Sequence, residues 1–282
     1  MQVGLISPIP HLESLGGTEF HLILSHVLNE HSEYLDFYRQ RSRNGDFIVL
    51  DNSAHELGAG GDIRSLLDQA FTVGASEVVL PDVLFSDRET VRRTTEAIRI
   101  LADSPSLSSL MTSYGMSVMV VPQAKTVYDW GVCLRELLLA TSQLPEGIHV
   151  TIGVSKDYET WPGGLGNLID RYVRPRYEAN FGGPSPLSVH LLGWGRELYQ
   201  LSSIVHRFPW IRSTDSAKPF VYAMNGIQLN FSRACPKYPG RPYDYFTRTL
   251  TSSQQDLANR NIDVFRVRAG QLSREDLPWG HR

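Results

Sequence analysis

The chain has 282 residues, of which 41% are hydrophobic and 20% are charged, and its formal net charge is -3. This length and composition suffice for a full hydrophobic core, and the small negative charge argues against a polybasic protein that binds nucleic acid through bulk charge. Cys133 and Cys235 are the only cysteines, so neither a disulfide framework nor a cysteine-rich zinc site is available. We therefore expect a reduced, cytoplasmic protein without a metal site or another cofactor.

Strand-length apolar runs alternate with segments of helical period along the chain. The N-terminal segment MQVGLISPIP lacks the basic start of a signal peptide and is too short to span a membrane, so we assign the first strand to it. Seven strands are predicted, at residues 3–6, 47–50, 77–80, 117–121, 150–154, 189–192 and 211–214. The alternation predicts an α/β fold, a (β/α)8 TIM barrel formed by residues 1–282 as a single domain with short loop insertions.

The predicted helices occupy most of the connections between these strands. They lie at residues 18–29, 63–73, 126–141, 197–208 and 252–260, and a further helix ends at residue 102 and begins with a capping box of Ser86 and Glu89. An eighth strand is needed to complete the barrel. Residues 221–224 and 264–267 are both candidates for it.

Polar residues follow six of the predicted strands. They are the segment DNSAHE at 51–56, Asp82, Gln123, Lys156, the segment GWGR at 193–196, and Asp215. Because the loops after the strands build the active face of a β/α barrel, we expect these residues to converge on one rim. Asp215, directly after the run 210–214, is then either a catalytic carboxylate or an ordinary N-cap or turn residue.

A rim with three aspartates and a glutamine is suited to binding a planar heterocycle by its polar edge. Asp51, Asp82, Asp215 and Gln123 supply the acceptors and donors for such an edge, with a carboxylate left for chemistry. Carboxylates gathered closely also raise one another's pKa, so that one can act as a base while another attacks.

The order of these motifs resembles that of the tRNA-guanine transglycosylases and their shorter relatives that insert 7-deazaguanines into DNA. The matching segments span residues 47–225 and are LDNSAHE (50–56), LPD (80–82), VVPQ (120–123), IGVSK (152–156), VHLLGWG (189–195) and STDSAKPFVYA (213–223). The resemblance implies that Asp215 is the nucleophile and Asp51 the general base. It implies a base pocket made of Asp82, Gln123, Gly153, Val154, Ser53, His55, Leu192 and Gly193.

The departures from the family concern the parts associated with tRNA. Those enzymes carry a zinc site of three cysteines and a histidine after the nucleophile, whereas this chain has only Cys235 in that region. His55 also stands where the tRNA enzymes stack an aromatic ring on the base. The resemblance therefore implies the DNA-modifying branch found in bacteriophages and genomic islands, acting in the host cytoplasm if phage-encoded.

The expected enzyme is a pentosyltransferase that replaces guanine in DNA by a free 7-deazaguanine resembling preQ0, through a covalent aspartyl-glycosyl intermediate. The target guanine must be flipped out or single-stranded, since a base inside a duplex cannot enter a pocket. No membrane partner is expected. Two alternatives remain open: a tRNA-guanine transglycosylase without the zinc site, and a non-catalytic accessory barrel that binds nucleic acid.

Five cations are candidates for contacts with the nucleic-acid backbone. Lys156, Arg196 and Lys218 follow predicted strands, where a cation either binds phosphate or is simply solvated. Lys237 and Arg241 lie in the run KYPGRPYDYF, which mixes basic and aromatic residues and is either a strand-binding segment or a plain exposed loop.

Overall fold

The computed structural model describes residues 1–180, 187–194, 198–231 and 235–277. Eight strands form one sheet in the order β1-β8-β7-β6-β5-β4-β3-β2. They are β1 (Gln2–Leu5), β2 (Phe20–Leu24), β3 (Phe47–Asp51), β4 (Glu77–Val79), β5 (Ser117–Val120), β6 (Val150–Ser155), β7 (Ser188–Leu192) and β8 (Ser213–Ser216). The pairs β1–β8, β3–β4, β4–β5 and β5–β6 are parallel. This is the topology of a (β/α)8 TIM barrel, and the predicted fold class is confirmed.

Helices form most of the connections between successive strands. Within the described residues they are α1 (Ser25–Glu30), α2 (Ser32–Arg43), α3 (Ala54–Leu57), α4 (Ile63–Val73), α5 (Asp87–Ala102), α6 (Pro105–Ser113), α7 (Val127–Thr141), α8 (Gly164–Leu168), α9 (Arg174–Asn180), α10 (Leu198–Arg207), α11 (Lys218–Met224) and α12 (Ser252–Arg268). In this part of the chain, none of the helices combines the length and the apolarity needed to cross a membrane.

The chain divides into two compact units, one formed by Met1–His21 with Leu191–Arg282 and the other by Leu22–His190. In the larger unit, the central residues of β3 and all four residues of β5 are buried. A strand covered on both faces requires such a continuous apolar run. In the smaller unit, α11 packs against α12, and the buried Asn261 donates to the carbonyl groups of Pro219 and Ile227 at 3.2 and 3.0 Å.

The predicted helix at residues 18–29 is wrong in its first half, where the structure has β2. All five residues of Phe20–Leu24 are buried. A fully buried strand shows no alternation of polar and apolar residues, so a short apolar run of this kind cannot be distinguished from a helix by its period. The helix begins only at Ser25, as α1.

The C-terminal strand predictions also need correction. Both candidates for the eighth strand are helical, residues 221–224 in α11 and 264–267 in α12, and β2 supplies the missing strand. The strand predicted at 211–214 lies two residues later, at Ser213–Ser216, so that Asp215 is inside β8 rather than after it. Helix α5 begins after Ser86 as predicted, but the Ser86 side chain makes no capping hydrogen bond.

Candidate active site

Several of the predicted site residues lie at the end of a strand or within three residues after it. Asp51 is the last residue of β3, Lys156 follows β6 directly, and Gly193 follows β7 directly. Asp82 and Gln123 each lie three residues beyond the strand that precedes them, β4 and β5. In the larger unit, Asp82 and Gln123 belong to one hydrogen-bonded network, whereas Asp51 lies in a separate set of contacts with Ser53.

Asp82 is the centre of this network, and its side chain is buried rather than open to solvent. Its relative exposure is 2%. Oδ1 accepts a hydrogen bond from Asn52 Nδ2 at 2.8 Å, and Oδ2 accepts one from Gln123 Nε2 at 2.7 Å. Burial raises the pKa of Asp82 to about 6, and the two amide donors oppose that rise. The cause of the raised pKa is therefore burial, and not the neighbouring carboxylate that the sequence led us to expect.

The orientation of the Gln123 amide is set by groups on its other side. Gln123 Oε1 accepts from the Tyr158 hydroxyl at 2.6 Å and from the backbone N–H of Phe85 at 3.3 Å. Burial raises the pKa of Tyr158 above its ordinary value, so the phenol keeps its proton and remains a donor. Because both donors require the oxygen, the amide nitrogen must point at Asp82.

Asn52 joins two strand ends through its side chain. Its Nδ2 also donates to the carbonyl of Leu80 at 2.7 Å, and its Oδ1 accepts from the backbone of Ala54 at 2.8 Å. Gly60 lies so close to Asn52 that position 60 has no room for a larger residue. A Cβ added at Gly60 would lie 2.8 Å from Asn52 Nδ2 and 3.0 Å from Pro81 Cα. The amide of Asn52 is thus held rigidly against Asp82.

Asp51 is oriented by Ser53, two residues later in the turn. Its Oδ1 accepts from the Ser53 N–H at 2.6 Å, and Ser53 adopts a left-handed conformation with φ of 61°. The Ser53 hydroxyl lies 2.8 Å from His26 Nδ1 and 3.0 Å from Ser25 Oγ. Ser53, predicted as a base contact, is itself fully buried and links α1 to Asp51.

The remaining predicted residues of the larger unit differ in exposure. The His55 side chain is 59% exposed, with Nδ1 4.0 Å from Asp157 Oδ2. Lys156 Nζ lies 3.4 Å from Asp157 Oδ1, and its side chain is 33% exposed. Gly153 and Val154 are buried within β6. The imidazole of His55 is thus exposed, whereas Gly153 and Val154 are enclosed within their strand.

In the smaller unit, Asp215 is a buried carboxylate on β8 with 3% relative exposure. Its Oδ1 accepts from the Gly193 N–H at 2.8 Å. Gly193 has φ of 65°, a conformation that favours glycine. The neighbouring Ser216 hydroxyl donates to the carbonyl of Trp194 at 2.8 Å. The turn after Leu192 therefore orients the Asp215 carboxylate through its backbone.

The predicted phosphate contacts are not equally accessible. Lys218 is 2% exposed, and its Nζ lies 5.4 Å from the centre of the Tyr222 ring. Lys237 is exposed, whereas Arg241 is half-buried over the rings of Tyr245 and Phe246. Arg196 lies outside the described residues. Among Lys218, Lys237 and Arg241, Lys237 is therefore the most exposed.

Four residues that support the site were assigned no role from the sequence: Asn52, Tyr158 and Gly60 around Asp82 and Gln123, and His26 at Ser53. Only Asn52 had a signal, since it lies inside the segment DNSAHE. Tyr158 lies 35 positions from Gln123, in a short 3-10 helix after β6 that carries no motif. In the described ranges, no group of three or more His, Cys, Asp or Glu side chains is placed to hold a metal ion.

No protein-family model matches the chain, and no curated protein shows significant similarity to it.

Proposed function

We propose that the protein exchanges guanine in DNA for a 7-deazaguanine base, as a pentosyltransferase that works through a covalent aspartyl-glycosyl intermediate. Two kinds of support converge on this reaction. The six motif segments stand in the order of the transglycosylase family, and the residues that this order assigns to base reading, Asp82 and Gln123, form a buried, oriented pair. The Asp82–Gln123 pair is the observation that carries the proposal.

The pair has the polarity that the edge of guanine requires. Guanine presents N1–H and the 2-amino group as donors and O6 as an acceptor, and a 7-deazaguanine keeps this edge unchanged. A carboxylate offers about four lone-pair sites, and the two amides occupy one on each oxygen of Asp82. The other lone pairs suit the two donors of the base, and the second N–H of Gln123 Nε2 suits O6. One pocket can thus hold both the departing and the incoming base.

The exchange consists of two displacements at C1′ and retains its configuration. A carboxylate oxygen of Asp215 attacks C1′ as the bond from C1′ to N9 of guanine breaks, and the protonated Asp51 gives its proton to the departing base, which leaves Asp51 ionised. The incoming 7-deazaguanine then gives its N9 proton to Asp51, and N9 attacks C1′ and expels the Asp215 carboxylate.

Backbone donors prepare both carboxylates for these roles. The Gly193 N–H orients Asp215 at 2.8 Å, and the Ser53 N–H orients Asp51 at 2.6 Å. Each donor fixes one oxygen of its carboxylate, so the other oxygen has a defined direction. Positioned proton transfer of the kind assigned to Asp51 contributes about 10²- to 10⁴-fold to a rate.

The decisive experiment traps the covalent intermediate. Protein is incubated with guanine-containing single-stranded DNA, in the presence and absence of a 7-deazaguanine, and denatured adducts are counted by gel shift and mass spectrometry. The wild-type protein should form an adduct and incorporate labelled base. Asp215→Asn should form none, because an amide is a poor nucleophile that gives no stable glycosyl ester. Asp51→Asn should lose turnover by about 10²- to 10⁴-fold while still accumulating some adduct slowly.

Asp68→Asn is the matched control, since Asp68 is an exposed carboxylate on α4. This substitution should leave both adduct formation and base incorporation unchanged. Adduct formation by Asp215→Asn but not by Asp51→Asn would show that the two roles are reversed. An adduct with a tRNA anticodon stem but never with DNA would keep the chemistry and change the substrate. If neither an adduct nor base exchange is found with DNA or with tRNA, the proposed transglycosylase activity is refuted.

A further inference from the structure

Phe85 combines an unusual backbone with an exposed ring. In the described part of the chain, Ser53 and Phe85 are the two residues other than glycine with positive φ, and Phe85 has φ of 56°. A bulky side chain is disfavoured in this region, and such residues persist only where their surroundings hold them, often at functional sites. The Phe85 side chain remains 43% exposed, so burial of the ring does not explain the conformation.

The loop around Phe85 is fixed by hydrogen bonds on both sides. Val83 exchanges two bonds with the Thr90 hydroxyl, at 3.0 Å from its N–H and 3.1 Å to its carbonyl. The Ser86 N–H donates back to the carbonyl of Val83 at 3.1 Å, and Val83 also forms a bridge with Ala59. The ring is therefore presented from a defined position between β4 and α5.

The same loop is attached to the base-reading pair. The backbone N–H of Phe85 donates to Gln123 Oε1, and Gln123 Nε2 donates to Asp82. Phe85 thus helps to orient Gln123 while directing its ring to solvent. Other exposed aromatic residues lack this attachment: Tyr128, for example, is 71% exposed on the surface of α7 and has an ordinary helical backbone.

We propose that Phe85 is a binding residue for the nucleic acid, and that its ring stacks on the base next to the target guanine once that guanine has left the stack. This role rests on the proposed function. Removal of one base from a strand exposes the face of its neighbour, and an aromatic ring beside the pocket replaces the lost stacking partner. Every base has such a face, so the contact strengthens binding without selecting a sequence. Free 7-deazaguanine, which has no neighbouring base, does not use this contact.

The test measures two affinities in the same variants. DNA binding is followed with an oligonucleotide that carries 2-aminopurine beside the target guanine, whose fluorescence falls when it stacks on an aromatic ring. Binding of free 7-deazaguanine is measured by calorimetry. Phe85→Ala should weaken DNA binding by about tenfold to a hundredfold and abolish the quenching. Its affinity for the free base should stay within about twofold of the wild type, since Asp82 and Gln123 are unchanged.

Three further variants separate the ring from the backbone. Glycine adopts positive φ without strain, so Phe85→Gly keeps the loop conformation while removing the ring, and it should lose DNA affinity as Phe85→Ala does. Phe85→Trp, which keeps an aromatic ring at this position, should retain DNA binding and the quenching of 2-aminopurine. Tyr128→Ala, which removes an exposed aromatic residue elsewhere, should change neither affinity.

The outcomes distinguish this role from the proposed function. Normal DNA binding by both Phe85→Ala and Phe85→Gly, beside a wild-type protein that binds DNA and free base, overturns the stacking role alone. Equal losses of DNA and free-base affinity also overturn it, because they show that Phe85 acts only by orienting Gln123. A wild-type protein that binds neither ligand overturns the proposed function, and the stacking role with it.

Discussion

At the scale of single residues, Asp82 is subject to two opposing influences. Burial disfavours its charged form, whereas the proposed base pocket requires the charged carboxylate as a hydrogen-bond acceptor. Its carboxylate is 2% exposed, and its side-chain hydrogen-bond donors are the neutral amides of Asn52 and Gln123. Hydrogen bonds from neutral amides only partly replace lost hydration, and the pKa of Asp82 is accordingly raised from 3.8 to about 6. A base that donates two hydrogen bonds would complete the solvation of the ionised form.

This raised pKa predicts how Asp82 contributes to stability as the pH changes. Between pH 4 and pH 7 the unfolded state binds fewer protons at this residue than the folded state, so the free energy of unfolding falls as the pH rises. A shift of this size corresponds to about 3 kcal/mol. The difference in free energy of unfolding between the wild type and Asp82→Asn should therefore decrease by roughly that amount from pH 4 to pH 7, as measured by urea denaturation of both proteins.

Asp68→Asn serves again as the control, and its difference from the wild type should stay within about 0.5 kcal/mol at both pH values. A stability difference for Asp82→Asn that grows with pH would mean that the site favours the ionised carboxylate. That result would contradict burial as the dominant influence on the pKa of Asp82.

The residues of the candidate site could be predicted from the sequence only where they lie inside motifs. Asp51, Asp82 and Gln123 follow apolar strands and were found in that way. Tyr158 and His26 were not, since each contacts a site residue across a sequence separation that no local pattern reports: 35 positions to Gln123 for Tyr158 and 27 to Ser53 for His26. Hydrogen-bond partners of this kind become visible only once the strand order is known.

At the scale of elements, α4 and α5 both begin after a residue type that commonly caps helices, but their capping contacts differ. Asp62 caps α4, and its Oδ2 accepts from the N–H groups of Arg64 and Ser65 at 3.0 and 3.2 Å. Ser86 is the N-cap of α5, and its side chain makes no such bond. A capping box in the sequence therefore indicated where α5 begins without establishing how its first N–H groups are satisfied.

The two caps make a matched pair for a stability measurement. Asp62→Ala should lower the free energy of unfolding by about 1 kcal/mol, because it leaves two N–H groups of the first turn without their side-chain acceptor. Ser86→Ala should change it by less than about 0.5 kcal/mol, since no capping bond is lost. Urea denaturation of both variants tests the comparison. Equal decreases in the free energy of unfolding for both variants would show that the side-chain hydrogen bond does not determine how much a cap stabilises its helix.

At the scale of the whole molecule, the fold class followed from the alternation of apolar runs and helical segments, whereas the full set of strands did not. Seven apolar runs were recognised, and β2 was missed because Phe20–Leu24 passes directly into α1 with no intervening turn signal. A crossover connection, usually a helix, normally separates consecutive parallel strands, so a long helix was expected after β1 rather than a second strand. Knowledge that eight strands were needed indicated that one was missing, but not where it lay.

The low net charge of the chain predicts weak dependence of nucleic-acid binding on salt. Lys218 is 2% exposed, so at most Lys156, Arg196, Lys237 and Arg241 of the predicted cations bind phosphates. For a single strand, each phosphate contact contributes about -0.7 to the slope of log K against log salt. The slope measured by titration between about 50 and 200 mM salt should therefore be no steeper than about -3.

Lys237→Ala tests this estimate at an exposed cation of the described residues. It should make the slope shallower by about 0.7 and weaken binding equally for all sequences, as expected for a phosphate contact that reads no base. Arg92→Ala is the control, because Arg92 lies on α5 and is paired with Glu89 at 2.9 Å, and it should leave the slope unchanged. A wild-type slope steeper than about -5 would contradict the premise that a few local cations, rather than a broad charged surface, hold the strand.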